Sequence, residues 1–366
     1  MILRSPSRLL GRVQCPICLQ WIHWRKAQRV EVDAAGNEKP FAPRRKDETS
    51  TAFEQRRLGA QRTCTMMQNG GGASIHYLPD RYGEFGDPIV IGLVGDVTAG
   101  KTLMLAAMVQ ALRFNPHLSR LGLSVNRLDP RIDARYRSEF IEPFLYRRQL
   151  LARTNVEAVT FTYVARVRSE YARREVAIAF FDVSGEQLKR RADEWTQDAS
   201  FLSAVNGLMF MVDPDKALPM LLHGRGQAYG DPAFTEVLDR LIDVRLRRGK
   251  RFLPIPAAMV VTKSDLLQYK RAEVDKWLSR DDDLHLGTVA EESEDVYDFL
   301  AGHGADQFLR PVDLAGDVTL HFASASGVSP EGSTFPQEGF GPRRVLRPLL
   351  SLFAMLGLLD RSLLGD

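Results

Sequence analysis

The chain has 366 residues, of which 44% are hydrophobic and 26% charged, with a formal net charge of +3. That is enough apolar material for one large domain or two smaller ones, and no stretch reaches the roughly 18 uninterrupted apolar residues of a membrane-spanning helix. Arginines stand where a secretory signal would place its apolar core, and three cysteines are too few for a disulfide framework, so a soluble protein of a reducing, cytoplasmic compartment is expected.

Residues 1–86 come first and hold the basic character, with fourteen Lys and Arg against eight Asp and Glu, while the remainder carries thirty-five against thirty-eight. Gly and Pro punctuate this arm, and Asn69-Gly70-Gly71-Gly72 reads as a flexible joint. A domain boundary is placed near residue 86. Cys15-Pro16-Ile17-Cys18 has a spacing that lets two thiolates meet one tetrahedral metal. Cys64 is the natural third ligand of a structural Zn²⁺, and His76 or His23 the fourth; the competing reading is a set of idle thiols. Redox catalysis is disfavoured, because no thioredoxin-like βαβ pattern surrounds the pair. Trp21 and Trp24 read as packing residues. Metal site and main domain are expected to act independently.

Beyond residue 86, apolar runs of strand length (88–94, 157–167, 175–181, 205–212, 257–262 and 319–323) alternate with helix-length segments such as 102–113, 234–247 and 343–359. This predicts an α/β fold with a sheet covered by helices. Only seven residues separate 157–167 from 175–181. No crossover helix fits there, so the pair is predicted to be an antiparallel hairpin within an otherwise parallel sheet.

Four stretches at strand ends carry chemistry. Gly95-Asp96-Val97-Thr98-Ala99-Gly100-Lys101-Thr102 fits G-x-x-x-x-G-K-S/T between a strand and a helix. Its glycines let backbone N–H groups converge on phosphate, Lys101 bridges the outer phosphates, and Thr102 can place a hydroxyl on Mg²⁺. Asp182-Val183-Ser184-Gly185 puts a carboxylate where it can hold Mg²⁺ and a glycine N–H where it can meet a terminal phosphate. In Thr262-Lys263-Ser264-Asp265, the carboxylate matches the adjacent N1–H and N2–H₂ donors of guanine and leaves adenine unpaired, while the Lys263 stem can lie over the base. Ser324-Ala325 opens a small-residue loop whose N–H groups can contact the base carbonyl.

In this order the four stretches resemble the Ras-like small GTPases and the wider translation-factor-related class of P-loop GTPases, over roughly residues 87–360. The resemblance implies a three-layer P-loop fold with a mostly parallel sheet and one antiparallel strand, a bound GTP or GDP with Mg²⁺, and GTP hydrolysis. It also implies a switch threonine before the hairpin, for which Thr154 is the best-placed candidate as a ligand of Mg²⁺ beside Thr102 and Asp182. The glutamine that commonly follows the Asp-x-x-Gly glycine is here Glu186, with Gln187 one residue later. Val97 stands where a smaller residue is usual, so slow turnover is expected. A zinc-ribbon-like arm on a large Ras-like domain is similar to the bacterial double-GTPase families, associated with multi-gene defence or signalling systems.

The chain is longer than a minimal member, with extra sequence at 114–150, within 214–256 and at the acidic stretch 281–313. These are expected either to present protein partners, together with the switch regions, or to be solvated helices and loops. The apolar run 348–359, preceded by Arg343, Arg344 and Arg347, is too short to span a membrane and reads as a core helix rather than an interfacial anchor. The expected function is a GTP-binding switch with slow hydrolysis. The alternatives are a nucleotide-stabilised scaffold and, from the basic arm, a nucleic-acid-associated factor.

Overall fold

Two small antiparallel sheets come first in the chain. The computed structural model describes residues 11–15, 21–32, 37–67, 73–151, 161–184, 205–245, 251–280 and 283–365. In it β1 (Arg12–Gln14) pairs with β2 (Trp21–His23). The strands β3 (Arg29–Val32), β4 (Glu38–Pro40), β5 (Gln61–Met67) and β6 (Ala73–Pro79) form a second sheet in the order β4-β3-β5-β6. The β5/β6 ladder runs from Gln61 opposite Pro79 to Met67 opposite Ala73. Asn69–Gly72, read as a joint, lies outside the described residues, between these two paired strands. The buried Asp80 closes this sheet by accepting from Arg29 and Arg62 at 2.7 Å each and from Arg57 at 2.8 Å. Burial would raise its carboxyl, but the guanidinium groups of Arg29, Arg57 and Arg62 outweigh that and hold it below the usual carboxylate range.

The main sheet has seven strands: β7 (Ile89–Gly95), β8 (Leu123–Arg127), β9 (Phe161–Ser169), β10 (Arg174–Ser184), β11 (Gly207–Val212), β12 (Ala257–Val261) and β13 (Val318–Phe322). Their order is β13-β12-β11-β7-β10-β9-β8. Neighbours from β13 to β10 are parallel, whereas β10/β9 and β9/β8 are antiparallel. Only β9 runs against the rest, and the hairpin expected from the short spacing is present. Every residue of β7, β11 and β12 is buried, which is why these strands read as continuous apolar runs. The edge strand β8 lies in the 114–150 stretch, so part of that extra sequence extends the sheet.

Each face of the sheet has its own core. One buries Ile89, Ile91, Leu93, Met209, Met211 and Val260 against the helix Lys101–Phe114, the helical run 130–146 and the helix Arg347–Met355. The last of these is buried from Arg347 to Ala354, as expected of a core helix. Among the described residues no helix is long and apolar enough to cross a membrane. The other face buries Val90, Val94, Val164, Ala179, Phe181, Phe210 and Met259. Its cover includes the helices Pro232–Arg245, Ala272–Leu278 and Val289–Gly302 and, from the arm, Val13, Cys15, Trp24, Cys64, Leu78 and Tyr82 in the same apolar cluster. Two polar contacts reinforce that docking: the Arg131 side chain donates to the Val32 carbonyl, and the Arg166 guanidinium lies 5.8 Å from the centre of the Phe85 ring. The arm therefore shares a buried apolar cluster with side chains of this face of the sheet. Trp24 packs there, but Trp21 is 53% exposed and is not a packing residue.

The acidic stretch is only partly solvated. Its helix Val289–Gly302 buries Val289, Val296, Phe299 and Leu300, and with them Glu292. The Glu292 carboxylate accepts from Arg347 Nε at 2.7 Å, Arg344 Nη2 at 2.9 Å and the Phe322 N–H at 3.2 Å, and faces His321 Nδ1 at 3.3 Å. Arg344 and Arg347, which precede the apolar run, thus turn inward to a buried carboxylate.

Candidate functional site

The chain leaves β7 toward β8, β9 and β10 on one side, and leaves β11 toward β12 on the other. At such a reversal the loops diverge and leave a crevice at the carboxyl ends of the strands. The stretch Gly95–Thr102 lies there. A Cβ on Gly95 would stand 2.8 Å from the Met211 carbonyl oxygen, so close backbone approach requires glycine. Gly100 has φ of 75° and ψ of 19°, a left-handed conformation that turns the chain into the helix Lys101–Phe114. Lys101 is 5% exposed, and its ammonium donates to the carbonyls of Gly95 at 2.7 Å and Asp96 at 2.9 Å. Thr102 follows in the first helical turn, Ala99 is buried below the loop, and Val97 and Thr98 are exposed on it.

The Thr-Lys-x-Asp and Ser-Ala stretches follow β12 and β13. The Thr262 hydroxyl donates to the Ala99 carbonyl at 2.9 Å and so fastens the end of β12 to the Gly95–Thr102 loop. Lys263 has φ of 48°, an uncommon conformation for a residue with a Cβ, and its ammonium pairs with Asp213 at 2.9 Å and Asp215 at 3.3 Å. Asp265 begins a short helix and accepts from the Ser324 hydroxyl, which also accepts the Gly327 N–H at 2.8 Å. Burial pushes the Asp265 carboxyl up, and the Ser324 bond offsets part of that rise. Ser324 and Ala325 are both buried. The stretches Thr262–Asp265 and Ser324-Ala325 are therefore in direct contact.

On the other flank, Asp182, Val183 and Ser184 end β10 in register with Leu93, Val94 and Gly95. This places the Asp182 backbone beside the strand that feeds the loop. Thr154, Gly185, Glu186 and Gln187 lie outside the described residues.

Three residues missed by sequence reasoning hold the Gly95–Thr102 loop. Asp213 accepts from the Thr98 hydroxyl at 2.8 Å, Asp231 accepts the Asp96 N–H at 2.9 Å, and Lys216 pairs with the Asp96 carboxylate. All three belong to the segment between β11 and the helix Pro232–Arg245. An Asp-Pro pair stands at the start of each helix involved, Asp213-Pro214 and Asp231-Pro232. That helix-start signature was legible, but its second use on the loop was not.

In the arm, Cys15, Cys64 and His76 converge, with one ligand atom from each within 4.8 Å of the others. Cys15 Sγ lies 3.8 Å from His76 Nδ1, and Cys64 stands opposite His76 in the β5/β6 ladder. His23 is outside this cluster, on β2, where its Nε2 accepts from Arg12 at 3.1 Å. Cys18 lies outside the described residues. Two thiols and an imidazole at this separation form a donor set suited to Zn²⁺. No protein-family model matches the chain, and no curated protein matches it.

Proposed function

We propose that the chain binds guanine nucleotide with Mg²⁺ at the carboxyl edge of its main sheet and acts as a slowly hydrolysing switch. The observation that carries this reading is the convergence of its parts: the glycine-bounded loop before Lys101, the Thr262 bond that fastens β12 to that loop, and the Asp265–Ser324 contact beside them. In this P-loop arrangement Lys101 meets the outer phosphates, Asp265 reads the base, and the Lys263 stem covers it. Thr102, Asp182 and Thr154 would hold Mg²⁺, which offsets phosphate charge, and loss of the terminal phosphate would release the Thr154 and Gly185 regions toward protein partners.

Asp265→Asn tests the base assignment. An amide offers one acceptor and one donor, so one guanine donor would face another donor, whereas xanthine has a carbonyl in place of the C2 amino group. GTP affinity is expected to fall by about 2–4 kcal/mol and XTP affinity to rise. Titration with GTP, XTP and ATP checks this; full GTP affinity in the variant, or equal ATP affinity in wild type, removes Asp265 from base reading.

A scaffold in which nucleotide is a structural ligand is favoured by Val97, which is 38% exposed and stands on the loop where a partner's catalytic arginine would need to enter. Single-turnover hydrolysis separates the two readings.

For the arm we propose a structural Zn²⁺ held by Cys15, Cys18, Cys64 and His76. Cys15→Ser is expected to remove stoichiometric zinc and, because Cys15 sits in the apolar cluster shared with the main sheet, to lower the unfolding midpoint of the whole chain. Metal analysis with thermal unfolding checks both. Wild-type protein without stoichiometric metal ends the proposal.

A further inference from the structure

Asp231 is 2% exposed and uses both carboxylate oxygens. Oδ1 accepts the Ala233 N–H at 2.8 Å and caps the helix that begins at Pro232. Oδ2 accepts the Asp96 N–H at 2.9 Å, across 135 residues of sequence. Capping needs a single acceptor, which Ser, Thr or Asn supplies without burying a charge. A carboxylate is the costlier choice at this site, since burial pushes it toward the protonated form against the attraction of Lys101 and Lys216. What it adds over a hydroxyl is the second oxygen, and that oxygen is spent on the backbone of the phosphate-side loop.

The loop needs such a tie. Its N–H groups can converge on phosphate only in one backbone shape, and the Lys101 ammonium, held by the Gly95 and Asp96 carbonyls, must leave them for an incoming phosphate. When it leaves, the Asp96 peptide keeps its bond to Asp231. The Lys216 pair on the Asp96 carboxylate and the Thr98 bond to Asp213 brace the same turn from the same segment.

We infer that Asp231 is a positioning residue of the nucleotide site, locking the Asp96 peptide to the helix Pro232–Arg245 so that the loop is preorganised for phosphate. This rests on the guanine-nucleotide reading above. The test compares wild type, Asp231→Asn and Asp231→Ser in the full chain. Serine keeps a capping oxygen but has no second acceptor to reach Asp96. Three readouts are needed: GTP affinity and dissociation rate, the unfolding midpoint without nucleotide, and hydrogen exchange at residues 96–98. Asp231→Ser is expected to bind GTP at least about tenfold more weakly, with faster dissociation and faster exchange at 96–98, while exchange in the helix and the unfolding midpoint change little. Asp231→Asn, with one acceptor for two N–H groups, is expected to fall between, and it carries the test if the serine variant does not fold. Variants that bind GTP within about twofold of wild type, or whose 96–98 amides exchange no faster, overturn the proposal. Wild-type protein that binds no guanine nucleotide would instead refute the reading beneath it, and the exchange measurement would still decide the tie.

Discussion

Lys101→Ala is expected to weaken GTP and GDP binding by at least about 30-fold while leaving the nucleotide-free protein about as stable as wild type. Within the described residues the ammonium is 5% exposed and is held by two backbone carbonyls. Removing it costs those carbonyls a donor but also relieves the burial of a charge, and the two changes oppose each other. Against a bound nucleotide nothing opposes the loss. The outer phosphates would lose a charge partner in a site that already holds the carboxylates of Asp96, Asp213 and Asp231, and truncating one partner of such a buried pair costs about 2–5 kcal/mol or more. That is roughly 30-fold to several-thousand-fold in affinity. Calorimetric titration and thermal unfolding of the two proteins check the prediction; undiminished GTP affinity in the variant would end the phosphate assignment.

Glu292→Gln is expected to destabilise the fold by about 3–5 kcal/mol, the scale for breaking a buried ion pair from one side. The amide keeps the size of the side chain but takes the Glu292 charge away from Arg344 and Arg347 in the core between the helix Val289–Gly302 and β13. The same residue sets an acid dependence. Burial alone would raise its carboxyl, but His321, Arg344 and Arg347 outweigh that and hold it at about 2, against an ordinary 4.5. A carboxyl lowered in the folded state contributes stability that is full above pH ~4.5 and is lost as pH falls toward ~2. His321 adds in the same direction: burial lowers its pKa from the ordinary 6.5, so below pH ~6.5 the unfolded chain takes up a proton that the folded one refuses. Wild type should therefore lose stability progressively on acidification, and Glu292→Gln should lose the lower part of that slope. Urea unfolding at neutral pH and at pH ~4 and ~3 tests both statements; unchanged midpoints in the variant would mean that the pair contributes nothing.

How much of this was legible in the sequence depended on the range of the signal. β7, β11 and β12 were readable because strands buried on both faces are apolar at every position. The Lys101 loop was readable because its chemistry is confined to eight consecutive residues. β8 was not, since Leu123-Ser124-Val125-Asn126-Arg127 alternates over only five residues and resembles a loop. The β5/β6 hairpin was hidden because a run of glycines in the sequence reads equally as a hairpin connection or a linker, although the candidate ligands it aligns, Cys64 and His76, were both named. Glu292 sits at helical spacing with Val289, Val296 and Phe299, so its position on the buried face was available from periodicity and was masked by the acidic residues around it. Asp213, Lys216 and Asp231 had no such signal. Their work on the loop spans more than a hundred residues, and no local pattern encodes a contact at that range.

The apolar cluster that the arm shares with the main sheet also limits which side-chain changes the chain can accept. Val13, Trp24 and Tyr82 share one interior with Val90, Val94 and Phe181, so an enlarged side chain on either part must be answered by a smaller one on the other. Losing the arm would take Val13, Trp24 and Tyr82 out of that interior and open the apolar side chains that share it to water.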